Sequence, residues 1–162
     1  MKLGTKARYA VMAMVDLARH GAGAPVPLAE VAERQGISLL YLEQLFGRLR
    51  RAGLVEATRG PGGGFELARP AASLRIADIV TSVDEEIKVT RCEAGSAEGC
   101  MADKARCLTH DLWEELGRQI FLFLNAVTLE DVAEGRMLGA ARLFAPETAG
   151  ANDMPTSANA AE

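Results

Sequence analysis

The sequence predicts a mainly α-helical fold that carries one small β-hairpin, and three observations support this. Apolar residues recur at helical spacing through most of residues 5–134. Glycine and proline gather at a few breaks, above all the run Thr58-Arg59-Gly60-Pro61-Gly62-Gly63-Gly64. The hydrophobic content of 49% is mostly aliphatic and small, with only 5% aromatic residues, which suits packed helices.

Thr5 is placed to cap a helix over Lys6–His20, with Gly21 as its stop. Ala10, Val11, Met14, Leu17 and Ala18 give that helix one apolar face. His20 suits the negative end of the helix dipole. A GAGAPVP linker leads to a short helix, Leu28–Gln35, which Pro27 opens. Gly36-Ile37-Ser38 reads as a tight turn, with Ser38 as the expected cap of a helix over Leu39–Ala52. In that helix Leu42, Leu45, Phe46 and Leu49 follow the i, i+3, i+4, i+7 rule and must face a core. Strands are expected at Leu54–Ala57 and Phe65–Ala68, joined by the Gly/Pro-dense connector. Further helices are expected at Ile76–Glu85, Thr109–Asn125 and, capped by Thr128, Leu129–Glu134. The apolar stripe of the Thr109–Asn125 helix is broader than a small domain needs, since Phe121 and Leu122 add to it. The Ala/Pro/Thr-rich tail lacks the apolar content of a packed segment and is expected to be disordered.

Helix, helix, turn, helix, hairpin is the order of a winged helix-turn-helix. In such a fold the second helix of the pair enters the DNA major groove with its N-terminal residues nearest the bases. Here those residues are Ser38, Leu40, Tyr41, Glu43 and Gln44. Gln44 can pair bidentately with adenine, and Glu43 can accept from cytosine N4 while repelling phosphate. Arg48 and Arg51 suit phosphates, which fix position rather than sequence. Arg59 at the hairpin tip suits a narrow minor groove. A polar helix face bearing arginines is more often only solvated, and the ordered combination is what points to DNA. The charge split agrees: residues 1–70 hold ten Lys/Arg against six Asp/Glu, and residues 71–162 hold eight against sixteen.

All three cysteines fall within sixteen residues, and a histidine follows: Cys92, Cys100, Cys107 and His110, spaced C-x7-C-x6-C-x2-H. The surrounding Gly/Ala-rich stretch has little apolar surface with which to order itself. An odd cysteine count and the lack of a secretory segment argue against a disulfide framework. Three thiols and an imidazole form a four-ligand set for zinc or for an iron–sulfur cluster. Structural zinc ligands usually come as close pairs, and here only Cys107 and His110 are close.

The 162 residues fit one ordinary domain or two very small ones. We expect a DNA-binding domain over 1–72, a loop-and-helix region over 73–135, and a disordered tail over 136–162. The N-terminus lacks a signal-peptide apolar run, and Ile120–Leu124 is far too short to span a bilayer. A cytoplasmic protein with no membrane partner is therefore expected. An enzyme is not, because no second acid/base group accompanies the thiols.

The segments PLAEVAERQGISLLYLEQLFGRLRRAGLV and RGPGGGF, with DEEIKVTRC and CLTHDLW, resemble the IscR-like iron–sulfur regulators, winged-helix bacterial transcription factors. The likeness covers nearly all of residues 1–135. It implies a transcription regulator of iron–sulfur cluster assembly genes, a repressor among its expected roles, that binds a double-stranded DNA operator as a homodimer. It also implies one 2Fe–2S cluster per subunit, supplied by the iron–sulfur assembly machinery and held by Cys92, Cys100, Cys107 and His110. The Thr109–Asn125 helix would then be the dimerisation helix, which accounts for its surplus apolar surface. The intervals between cysteines are longer than is usual in that family, at a closure cost that grows only logarithmically. Alternatives are a nitric-oxide-sensing cluster regulator of the same fold and a zinc-stabilised DNA-binding protein. An electron carrier or assembly scaffold has no need of a helix-turn-helix.

Overall fold

The computed structural model describes residues 4–21, 23–83, 100–101 and 103–136. Cys92 and the tail beyond residue 136 lie outside the described residues. The architecture is mainly helical with a two-stranded antiparallel hairpin, as the apolar spacing implies.

Helix α1 (Thr5–His20) is the hub. Ala7, Ala10, Ala13, Met14 and Leu17 are all buried, and they recur three or four residues apart along one face. The small side chains let α2 (Leu28–Gln35), α3 (Leu39–Arg51), α4 (Ile76–Ser82) and α6 (Leu129–Ala133) all pack on it. Burial of Met14 and of Leu17 contributes roughly 1.5–3 kcal/mol each. Thr5 does not cap this helix: the extended residue is Gly4, so Thr5 already lies inside the first turn.

The turn after α2 and the length of α3 agree with the sequence pattern, and Leu42, Leu45, Phe46 and Leu49 are buried as expected. Ser38 occupies the N-cap of α3, yet its side chain makes no capping hydrogen bond. The hairpin strands β1 (Val55–Thr58) and β2 (Gly64–Leu67) pair from Val55↔Leu67 to Thr58↔Gly64. Each sits one residue from its expected place. The facing pairs are those the expected spans would give, and Ala68 N–H still donates to the Leu54 carbonyl at 3.1 Å. Phe65 holds β2 against the core. Its ring meets Phe46 edge-on at 4.9 Å, and its backbone exchanges hydrogen bonds of 2.8 and 2.9 Å with Val26.

Helix α4 ends at Ser82, and residues 84 and 85 of its expected span are not described. After α5 (His110–Ala126) the chain runs back beside the start of α4. There Leu129 N–H donates to the Leu74 carbonyl at 2.8 Å and Ile76 N–H to the Val127 carbonyl at 3.1 Å. Thr128 and Asp131 form a reciprocal capping box on α6, as the Thr-x-x-Asp spacing allows. One apolar cluster therefore runs from Ala7 to Leu129, on both sides of residue 72. Among the described residues no helix is long and apolar enough to cross a membrane.

A buried carboxylate sits between α1 and α2. The Asp16 side chain has no solvent exposure. Arg34 donates to it from Nη2 at 2.8 Å and from Nε at 3.1 and 3.2 Å, and Gln35 adds a bond of 2.7 Å. Burial pushes this carboxyl up. The bonds from Arg34 and Gln35, with the nearby charges of Arg34 and His20, outweigh it and hold the pKa below the usual 3.8.

Arg34→Ala is expected to cost about 3 kcal/mol in chemical denaturation, the low end for a broken buried pair because Arg34 is partly exposed. A loss below about 1 kcal/mol would contradict the clamp. The carboxyl also sets acid sensitivity. Its folded pKa is depressed, so its contribution is present above the unfolded value of about 3.9 and is lost as pH falls through the folded one. Asp16→Asn should flatten the stability profile below about pH 4 and leave its slope near neutrality unchanged.

Candidate metal centre and nucleic-acid interface

A tight turn brings the second and third cysteines together. Lys104 N–H donates to the Met101 carbonyl at 3.0 Å, Met101 N–H to the Ala105 carbonyl at 3.1 Å, and Lys104 takes a left-handed φ of 65°. The Cys107 amide then donates to Cys100 Sγ at 3.2 Å. The C-x2-H step closes through a bond of 3.0 Å from His110 N–H to the Cys107 carbonyl, so the imidazole enters on the first residue of α5. His110 Nδ1 lies 3.5 Å from Cys100 Sγ.

The ligand atoms of Cys100, Cys107 and His110 all lie within 4.8 Å of one another. Both thiols are half-buried, and His110 is only 3% exposed. The set matches soft-metal chemistry: sulfur and imidazole donors, partly shielded, with an amide already directed at one sulfur. Three of the four expected ligands are thus together, while Cys92 is not among the described residues. Thr109 sits beside them, 3.8 Å from Cys107 Sγ and accepting from Trp113 Nε1 at 3.1 Å. Sequence reasoning missed Glu114, whose Oε2 lies 3.4 Å from His110 Nε2. The i, i+4 spacing was the available signal.

In the N-terminal half, Ser38, Leu40, Glu43 and Gln44 are exposed at the start of α3, and Leu40 is 66% exposed. Tyr41 is half-buried, its ring set edge-on to Tyr9 at 5.9 Å. Arg51 is exposed and donates to the Gly47 carbonyl at 3.3 Å. Arg48 is half-buried and donates to the Val83 carbonyl at 3.1 Å, so it also ties α3 to the end of α4. Arg59 is exposed at the hairpin tip, with Gly60 and Gly62 at positive φ beyond it. A groove between α3 and the hairpin is lined by Leu28, Leu39, Glu43, Gly47, Arg50 and Gly64.

Residues 3–135 match the Rrf2 family, described as an iron-dependent transcriptional regulator. The chain belongs to the Rrf2 family. It is 50% identical over 136 residues to the HTH-type transcriptional regulator IscR of Yersinia pseudotuberculosis, covering 84% of this chain and 81% of that one. The IscR of Xenorhabdus nematophila shows the same identity and coverage. Among solved structures, T. potens IscR is 34% identical with a TM-score of 0.67, over 89% of this chain and 97% of that one. CymR, the global cysteine regulator of B. subtilis, is 30% identical with a TM-score of 0.70, over 83% and 98%. The chain is accordingly a DNA-binding transcription regulator with a winged-helix fold.

The wing depends on glycine for an internal reason. A Cβ on Gly64 would stand 2.4 Å from the Val26 backbone, against which β2 is hydrogen-bonded. Gly64→Ala is therefore expected to destabilise the protein by about 1–3 kcal/mol and shift the amide resonances of residues 55–67. Unchanged stability with unshifted resonances would contradict this contact.

Proposed function

We infer that this chain is an iron–sulfur-dependent regulator of cluster assembly genes, acting as a homodimer with one 2Fe–2S cluster per subunit. The convergence of Cys100, Cys107 and His110 at the first turn of α5 carries this reading. The 50% identity to proteins named IscR supports it. Cys92 is the fourth ligand in this reading. Residues 1–72 form the reading module, residues 73–135 the cluster loop and dimer helices, and 136–162 a tail.

When bound, the cluster supplies a removable cross-link among the four side chains. The chain's own residues do the rest. The Cys107 amide polarises the Cys100 sulfur, and His110 ties the loop to α5. Leu112, Phe121 and Leu122 on α5 are exposed apolar side chains suited to a second copy. Ser38, Leu40, Tyr41, Glu43 and Gln44 face the bases, Arg48 and Arg51 lie towards phosphates, and Arg59 enters the minor groove. The Arg48 bond to Val83 sets α3 against the end of α4, nine residues before Cys92. Order in the cysteine segment thereby bears on the placement of α3.

Anaerobic purification with iron, sulfide and zinc determination tests the centre. Iron and sulfide in equal amounts are expected; zinc alone would overturn the cluster reading and leave DNA binding intact. The interface is tested at fixed salt. Gln44→Ala is expected to lose about 1–3 kcal/mol and relax preference at one base position, whereas Arg59→Ala should lower the salt slope by about one. Equal affinity of apo and cluster-loaded protein for every operator would sink the sensing mechanism.

A further inference from the structure

His110 is buried, and its two ring nitrogens face different chemistry. Nδ1 points at the Cys100 thiol, 3.5 Å away. Nε2 is buried without a hydrogen-bond partner among the described residues. An orphaned ring nitrogen at such a position calls for a partner, because burying an unpaired polar group is costly. The nearest candidate is one helical turn on: Glu114 Oε2, at 3.4 Å, on a side chain 30% exposed. That gap exceeds a well-formed N–H···O bond by only a few tenths of an ångström, within reach of a small side-chain rotation.

We propose that Glu114 is the outer-sphere partner of His110, accepting the Nε2–H hydrogen bond so that Nδ1 presents its lone pair toward Cys100 and Cys107. This rests on the reading of His110 as a ligand. Metal-bound histidines generally donate their second ring N–H to a carboxylate or carbonyl, which fixes the tautomer and raises the donor strength of the other nitrogen. Asp111 is the other carboxylate near the ring, but its side chain is 91% exposed and turned to Arg106 at 3.6 Å. Glu114 is therefore a positioning residue. It touches the ligand and sets which nitrogen is free.

The chain has two histidines, so nitrogen-15 imidazole spectra of the full-length metal-free protein report His110 directly once His20→Gln assigns the other. The expected result is an Nε2–H tautomer in the parent and in E114Q, whose amide oxygen still accepts, and a mixture in E114A. After reconstitution with iron and sulfide, E114A should lose cluster to a chelator about tenfold faster than the parent, with D111N unchanged. An Nδ1–H tautomer in the parent, or an unchanged tautomer in E114A, overturns the proposal. So does equal cluster lifetime in E114A and the parent. Failure of the parent to take up iron and sulfide overturns the cluster reading instead, and the tautomer alone then decides the role of Glu114.

Discussion

The close packing of four helices on α1 is the constraint from which the rest follows. Ala7, Ala10 and Ala13 are fully buried, so neighbouring backbones approach a face that larger side chains would hold apart. The same helix supports α2 and α3, the second of which carries the proposed DNA-reading residues, and α4 and α6, which belong to the C-terminal half. The two halves of the chain share one core rather than meeting at a linker. Asp16 adds direction to this packing. An apolar face tolerates sliding, whereas a carboxylate held by Arg34 and Gln35 fixes α2 at one rotation about α1.

That shared core links the thiol site to α3 by a series of hydrogen bonds, the route available to the proposed switch. From His110 the path runs along α5 to Val127 and Leu129, which hydrogen-bond Ile76 and Leu74 at the start of α4. It then follows α4 to Val83, whose carbonyl accepts from Arg48 on α3. Each bond on this route contributes of the order of 1 kcal/mol net. A typical coupling between two sites is about 1–3 kcal/mol. In the proposed function, a route of this strength would bias operator preference without dismantling the reading module.

Much of this was legible in the sequence, because periodicity and turn chemistry are local. The bounds of α2, the buried face of α3 and the Thr128 capping box all follow from residues within one or two turns of each other. What escaped was non-local. Asp16 looks like a solvated helix residue until Arg34 and Gln35, eighteen and nineteen positions on, fold against it. A second role of Arg48, donating to the Val83 carbonyl, is visible only once α4 packs against α3. The bridge from Phe65 to Val26, far upstream, is likewise invisible to local patterning. Of the thiol site, spacing singles out the three residues whose donor atoms meet, Cys100, Cys107 and His110. Glu114 was passed over because a carboxylate on an amphipathic helix is ordinarily solvent-facing.

The long interval between Cys100 and Cys107 loses its difficulty once the geometry is considered. Six residues separate Cys100 from Cys107, yet their donor atoms meet within 4.8 Å. The intervening chain folds back through the Met101–Ala105 turn, with Lys104 in a conformation that costs about 1 kcal/mol outside glycine. Adding residues to a loop that already reverses changes its closure entropy by only a fraction of a kcal/mol. The distance that matters to a metal is between sulfur atoms, not between positions in the sequence. A turn that returns the chain to its starting point makes the two independent. A longer interval is therefore compatible with His110, fixed on the first residue of α5, keeping its relation to Cys100 and Cys107.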